Sequence, residues 1–174
     1  MVLEDFKKNV LPVKDKLYRF SLYLLGNEDD ARDVVQDVLI KAWDNRAELS
    51  GLNSVEAWCM RITRNFSLNR LNAASTKYKT TIDALSESSY TGASPETLTE
   101  VNDQYSRFKE LLEELPATQR QILQLRDIEG FTNPEIAEAL GVEVNYVKVN
   151  LFRARQSLKK KMLNLNAYGL QRNQ

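Results

Sequence analysis

Lys148, Val149, Asn150, Phe152, Arg153 and Arg155 crowd into one short stretch, Lys159, Lys160 and Lys161 follow, and no Asp or Glu occurs after Glu143. Cationic side chains without acids neutralise phosphate, and a mixed row of cationic, amide and apolar groups on a helix can meet base edges. Little other chemistry can be assembled. The chain has no histidine and a single cysteine, Cys59, so a zinc site, a disulfide framework and histidine-based catalysis all lack their parts. No glycine-rich phosphate loop is present either, and an enzyme such as a small hydrolase has no nucleophile and base to work with. Cys59 reads as a buried thiol, and no cofactor or metal is expected.

The elements that would position this row read as a helix-turn-helix. Thr132 or Asn133 can cap a helix that starts at Pro134, where a missing N–H costs nothing, with Ile136, Ala137 and Leu140 on one apolar face. Gly141 ends it. After the turn Gly141-Val142-Glu143, Val144, Val147, Leu151, Ala154, Leu158 and Met162 repeat at i, i+3, i+7 and predict a second helix packed along one side. The plain alternative is an ordinary helical hairpin with a solvated basic face. A short turn and an amphipathic second helix favour a helix that projects into the major groove.

The first half also reads as helices. Pro12 can open one that runs through Leu17, Phe20, Leu24 and Leu25 to Gly26; Asn27 then caps a second with Glu28, Asp29 and Asp30 in its first turn. In that second helix Ala31, Val34, Val35, Val38, Leu39, Ala42 and Trp43 are expected to face a core, leaving Asp33, Gln36, Asp37, Ile40 and Lys41 outside. A third starts near Asn53 or Ser54, with Glu56 able to complete a capping box from Asn53. Its inward residues are expected to be Val55, Trp58, Cys59, Ile62 and Phe66, with Arg61, Arg64, Asn65 and Leu68 around the other side.

Charge supports a polyanion as partner once it is followed along the chain. The 174 residues carry 24 basic and 24 acidic side chains, a net charge of zero, but the two signs are sorted into blocks. Arg61, Arg64, Arg70, Lys77 and Lys79 fall in an acid-free stretch, residues 83–114 hold eight acids against Arg107 and Lys109, and the segment from 144 onward has seven basic residues. Two positive patches separated by a negative segment suggest two contacts on one polyanion. With 43% hydrophobic residues the chain is ordinary for a globular protein, no apolar run is long enough to span a bilayer, and MVLEDFKKNV lacks a signal-peptide pattern. A cytoplasmic protein with no direct membrane insertion is expected.

The fold class follows: all-α, two small helical domains joined by a flexible linker. The N-terminal domain spans 5–72, a Ser/Thr-rich linker 73–95, the C-terminal helix-turn-helix domain 96–163 and a tail 164–174. Leu111, Leu112 and Leu115 are expected to anchor the helix that opens the second domain.

The order of these motifs resembles the sigma factors of bacterial RNA polymerase, of the alternative, extracytoplasmic-function type. GNEDDARDVVQDVLIKAW looks like the polymerase-binding helix of that family, VEAWCMRITRNFSLNRL like its promoter-opening helix, and LPATQRQILQLRDIEGFTNPEIAEALGV with VKVNLFRARQSL like its second DNA-binding domain. The resemblance implies that Asp33, Gln36, Asp37 and Ile40 grip the polymerase clamp, an exposed Ile among acids being a small interface signature. It implies that Arg61, Arg64 and Asn65 contact the minus-ten element while the loop Leu49, Ser50 and Gly51 helps hold a flipped base. It further implies that Lys148, Val149, Asn150, Phe152 and Arg153 read the minus-thirty-five element, with Arg155 and the following lysines on phosphate. Arg pairs bidentately with guanine, and Phe or Val touches thymine methyls.

The partners implied are core RNA polymerase, at its clamp and flap, promoter DNA, and an anti-sigma factor, often membrane-linked. The linker would thread the polymerase's RNA path. Three positions depart from the family: Leu49 stands near where an aromatic residue is common, Val149 where a small polar residue is usual, and Glu143 where a capping Ser is usual. A free-standing helix-turn-helix regulator with an N-terminal effector or dimerisation domain is the alternative reading; it requires a dimer seam or ligand pocket and should bind duplex unaided.

Overall fold

The computed structural model describes the backbone of residues 3–82 and 110–171 and the side chains of 3–75 and 110–163. Every regular element among them is helical, and the chain forms two compact units. The reading of a linker over 83–95, and of a helix from Glu96 up to residue 109, lies outside the described residues.

The first unit opens with α1 (Leu3–Asn9) and a short 3-10 turn (Leu11–Val13) that carries Pro12, so Pro12 starts a turn that leads into the helix instead of the helix itself. Three longer helices follow: α2 (Lys14–Leu25), α3 (Glu28–Asp44) and, after the one-turn α4 (Arg46–Leu49), α5 (Val55–Ile82). Gly26 ends α2 with φ +67°, a conformation that costs glycine nothing. Asn27 caps α3, its Oδ1 accepting from the Asp30 N–H at 2.9 Å, and the three acids of the first turn sit at the positive end of the helix dipole.

α2, α3 and α5 pack on one another around Leu17, Phe20, Val34, Val38 and Met60, all fully buried. The α3 stripe matches the sequence reading at Ala31, Val34, Val35, Val38 and Ala42. Leu39 is half-buried and Trp43 is exposed at the edge: its ring meets Phe6 edge-on at 5.2 Å, and the Arg46 guanidinium lies 4.6 Å over its face. Trp43 thus keeps an apolar contact on one side and a cation–π contact on the other without entering the core.

On α5 the buried line is Ala57, Cys59, Met60, Thr63 and Ser67, whereas Val55, Trp58, Ile62 and Phe66 are only half-buried. The helix is therefore rotated from the face that hydrophobicity favours. Thr63 and Ser67 tolerate full burial because each has a partner: Thr63 Oγ1 donates to the Cys59 carbonyl at 3.0 Å, and the Ser67 and Ser21 hydroxyls meet at 3.1 Å. Ser54, not Asn53, caps α5, its Oγ accepting from the Ala57 N–H at 3.1 Å, and Glu56 pairs with Lys16 at 2.6 Å instead of closing a capping box. α5 also continues past Asn72 to Ile82, into the span read as linker.

The described residues from 110 onward contain a helical turn at 110–113, α6 (Ala117–Leu123), a π-helical turn (Gln124–Ile128), α7 (Asn133–Leu140) and α8 (Val144–Gln171). Leu111 and Leu115 are buried as expected and Leu112 is half-buried. After the π turn the chain reverses at Gly130, φ +78°, so that the Phe131 N–H returns to the Leu125 carbonyl at 2.9 Å and the Arg126 guanidinium donates to the Phe131 carbonyl at 2.7 Å. Thr132 is the cap of α7: its own N–H and hydroxyl both donate to Glu135 Oε2, at 2.9 and 2.7 Å, so Pro134 sits second in the helix. Gly141, φ +68°, ends α7, and α8 follows the short turn. The backbone of α8 stays helical through Gln171, so residues 164–171 extend the helix instead of forming a separate tail.

Candidate nucleic-acid interface

α8 buries Val147, Leu151, Ala154 and Leu158, the stripe expected from the sequence, except that Val144 is half-buried and Met162 is exposed. That orientation leaves Lys148, Val149, Phe152, Arg153 and Arg155 outside. Phe152 is 64% exposed, far too open for a core residue. Tyr146, 46% exposed, joins this face although the sequence reading did not single it out; its place between two stripe positions was the available signal.

Asn150 does not belong to this exposed face. It is buried, its amide N donates to the Tyr146 carbonyl at 2.9 Å, and its Oδ1 faces Gln119 Nε2 of α6 at 3.5 Å. A carboxamide held this way anchors α8 to α6 and presents nothing to a base. Arg155 is exposed, but its guanidinium is engaged by Asp127 of the π turn at 2.5 Å. Its charge is partly neutralised by that carboxylate, whereas Lys159 and Lys160 are exposed on the same helix. Lys161 pairs with Glu114.

In the first unit Asn65 is exposed and Arg61 and Arg64 are half-buried, all on α5. Ser50 and Gly51 are exposed in the turn after α4, where Ser50 Oγ donates to the Ala47 carbonyl at 2.8 Å. Leu49 corrects the sequence expectation: it is 1% exposed and belongs to the core, so it cannot wall a pocket for a base. Its burial fixes the turn from which Ser50 and Gly51 project.

Asp33, Gln36, Asp37 and Ile40 are all exposed on one side of α3, with Ile40 61% open. Beside them runs an open groove of about 510 Å³ lined by residues that include Asp37, Ile40 and Lys41 of α3 and Phe66, Asn69 and Arg70 of α5. Arg70 crosses from α5 to α3: Nη1 lies 3.1 Å from Asp30 and 3.3 Å from Asp33, and Nη2 lies 3.5 Å from Asp37. Burial works against its charge, but the hydrogen bonds to Asp33 and Asp30 outweigh it and raise its pKa further. The α5 stretch that is acid-free along the chain therefore meets acids in space at Arg70. Cys59 is fully buried, and desolvation together with nearby Glu56 pushes its thiol up to about 12, so it supplies no thiolate near neutral pH.

Among the described residues no His/Cys/Asp/Glu cluster is arranged to hold a metal, and no helix is long and apolar enough to cross a membrane.

Two models of one family match this chain in order: Sigma-70 region 2 over residues 10–76 and Sigma-70, region 4 over residues 105–158. The ECF RNA polymerase sigma factor SigW of Bacillus subtilis is 25% identical over 160 residues, 87% of this chain and 86% of the relative. SigE of Mycolicibacterium smegmatis, named likewise, is 28% identical over 149 residues, 83% of this chain but 56% of that longer protein. Among solved structures, the sigma factor RpoE in complex with the anti-sigma factor NepR from Bartonella quintana is similar with a TM-score of 0.68 and 27% identity, covering 91% of this chain and 96% of that one. The first unit carries the region 2 match and the helix-turn-helix the region 4 match, and on these grounds the chain belongs to the sigma-70 family, as an alternative sigma factor of the extracytoplasmic-function type that serves transcription initiation.

Proposed function

We propose that this protein works as a specificity subunit in the cytoplasm, an initiation factor that performs no bond chemistry itself and places core RNA polymerase on its promoters through three separate faces. The observation that carries the reading is α8, where a buried stripe on one side leaves an acid-free face of Lys148, Val149, Phe152 and Arg153 on the other. That face reads the minus-thirty-five element in duplex form, with Lys159 and Lys160 on phosphate. Arg61, Arg64 and Asn65 of α5, with Ser50 and Gly51, bind the minus-ten element and the strand that leaves the duplex. Asp33, Gln36, Asp37 and Ile40 hold the polymerase clamp, while the second unit meets the flap. An anti-sigma partner, of the kind seen with the RpoE relative, would silence the protein by covering these faces.

A pull-down of purified core polymerase by the full chain tests this directly. Stable capture is expected; a chain that ignores core polymerase yet binds promoter duplex alone would be a free-standing regulator. A finer test separates base reading from phosphate contact. Arg153→Ala should reduce discrimination among upstream sequences by about 1–3 kcal/mol, the value of one bidentate base contact. Lys159→Ala should instead weaken all sequences alike and lower the salt slope by about one. Titrations at several salt concentrations on preferred and scrambled duplexes measure both, and equal losses on both duplexes for Arg153→Ala would reassign it to phosphate.

A further inference from the structure

α4 is one turn long, and a four-residue helix has no stability of its own. It is held at both ends. Leu49, its last residue, is buried, and Arg46, its first, lies over Trp43 near the end of α3. The Arg46 contact is double: the guanidinium sits 4.6 Å from the Trp43 ring centroid, and Nη1 donates to the Trp43 carbonyl at 2.9 Å. A planar guanidinium can stack on a ring and hydrogen-bond within its own plane at once, which an ammonium cannot. Phe6 of α1, itself buried, meets the same ring edge-on at 5.2 Å. Trp43 stays 37% exposed, so this stack adds less to stability than a core tryptophan would. What it fixes is where Arg46, and with it α4, can stand.

The exposed turn that follows is carried on α4 by its own backbone. The Glu48 and Leu49 N–H groups return to the Asn45 carbonyl at 2.9 and 3.2 Å, Gly51 N–H to Glu48 at 3.1 Å and Leu52 N–H to Leu49 at 3.3 Å. Ser50 Oγ closes on the Ala47 carbonyl at 2.8 Å. Whatever sets α4 therefore sets Ser50 and Gly51. We propose that Phe6, Trp43 and Arg46 are positioning residues for promoter opening: without touching DNA, their stack sets the angle at which α4 presents Ser50 and Gly51 to the base that leaves the duplex. This rests on the reading of that turn as part of the minus-ten face and names what holds the turn in place. Arg46 acts through the turn, and α1 takes part in opening although it lies outside all three binding faces.

The test uses the full chain assembled with core polymerase and promoters changed one base at a time through the minus-ten element, with open-complex formation measured on each. Gly51→Asp locates the base. A Cβ at Gly51 meets only the Glu48 carbonyl, at 3.7 Å, so the variant folds while its carboxylate repels the strand. The position at which it flattens the preference among the four bases is the one the turn holds. There Arg46→Ala and Trp43→Leu should each narrow the spread between best and worst base by about two- to fivefold, the worth of a partly exposed cation–π contact. Added to Gly51→Asp, either should lower opening little further, because both act through the turn. A ratio between bases does not change with the fraction of protein folded, so a simple loss of stability leaves it intact. Full discrimination in both Arg46→Ala and Trp43→Leu overturns the positioning stack and leaves the turn as a contact. Losses that add to those of Gly51→Asp, with a salt slope lower by about one, make Arg46 a phosphate ligand and overturn it too. A Gly51→Asp chain that keeps every base preference removes the turn from the minus-ten face, and this inference with it.

Discussion

Replacing Asp37 by arginine is expected to weaken binding to core polymerase by about ten- to a hundredfold, with the helical circular-dichroism signal unchanged. Asp37 is exposed on α3 beside Ile40, at the mouth of the groove between α3 and α5. A basic partner loses an acid there and meets a like charge. Inside the protein the same change puts an arginine against Arg70, which now touches Asp37 at 3.5 Å. That internal cost is small, about 1 kcal/mol or less for an exposed pair, because Arg70 keeps Asp30 and Asp33. The loss should shrink as salt rises and screens the contact. Asp15→Arg, an exposed acid in the first turn of α2, is the control and should bind normally. Competition binding with labelled protein measures both; full affinity for Asp37→Arg removes this face from the clamp contact.

The second large effect concerns promoter opening. Changing Arg61 and Asn65 together to alanine should leave the closed polymerase–promoter complex close to normal, because the contacts of α8 with intact duplex dominate its affinity. Strand separation should fail instead. Unstacking a base costs a few kcal/mol, and the polar groups of α5 that recover this cost would be gone. Open complexes should fall by at least tenfold, read by permanganate reactivity of unpaired thymines, beside filter binding for the closed complex. Both residues lie on the partly exposed side of α5, away from buried Met60, Thr63 and Ser67, so the double variant should fold. Normal opening, or an equal loss of closed complexes, contradicts the division of labour between α5 and α8.

Where burial and hydrophobicity coincide, the sequence was easy to read. The α3 stripe of Ala31, Val34, Val35, Val38 and Ala42 is uninterrupted, and Gly26, Asn27 and Gly141 mark helix ends through backbone chemistry that is local by nature. Reading failed where a contact distant in the chain decides. Ser67 is buried where α2 comes close enough to offer Ser21, and Thr63 beside it returns its hydroxyl to the Cys59 carbonyl, while Trp58 and Phe66 stay only half-buried. Asn150 looked like a base reader because nothing in its neighbours along the chain announces Gln119. Arg155 and Arg70 looked free for the same reason, their acids lying at Asp127 and on α3. Leu49 was assigned to a pocket by analogy of position, while its side chain obeys the simpler rule that leucine goes inside. The π turn left no periodic trace, since one widened turn shifts the helical phase without changing composition.

Arg70 shares its donors among three carboxylates of α3 while standing on the helix that carries Arg61 and Arg64. A partner that draws Asp33 and Asp37 to itself frees that guanidinium, and a phosphate that draws the guanidinium frees the two acids. Each event removes a competitor from the other, so the two affinities rise by the same factor, as linkage requires of any pair of ligands that share an internal competitor. If the acidic face meets the polymerase and α5 meets phosphate as proposed, occupancy of either would ease occupancy of the other.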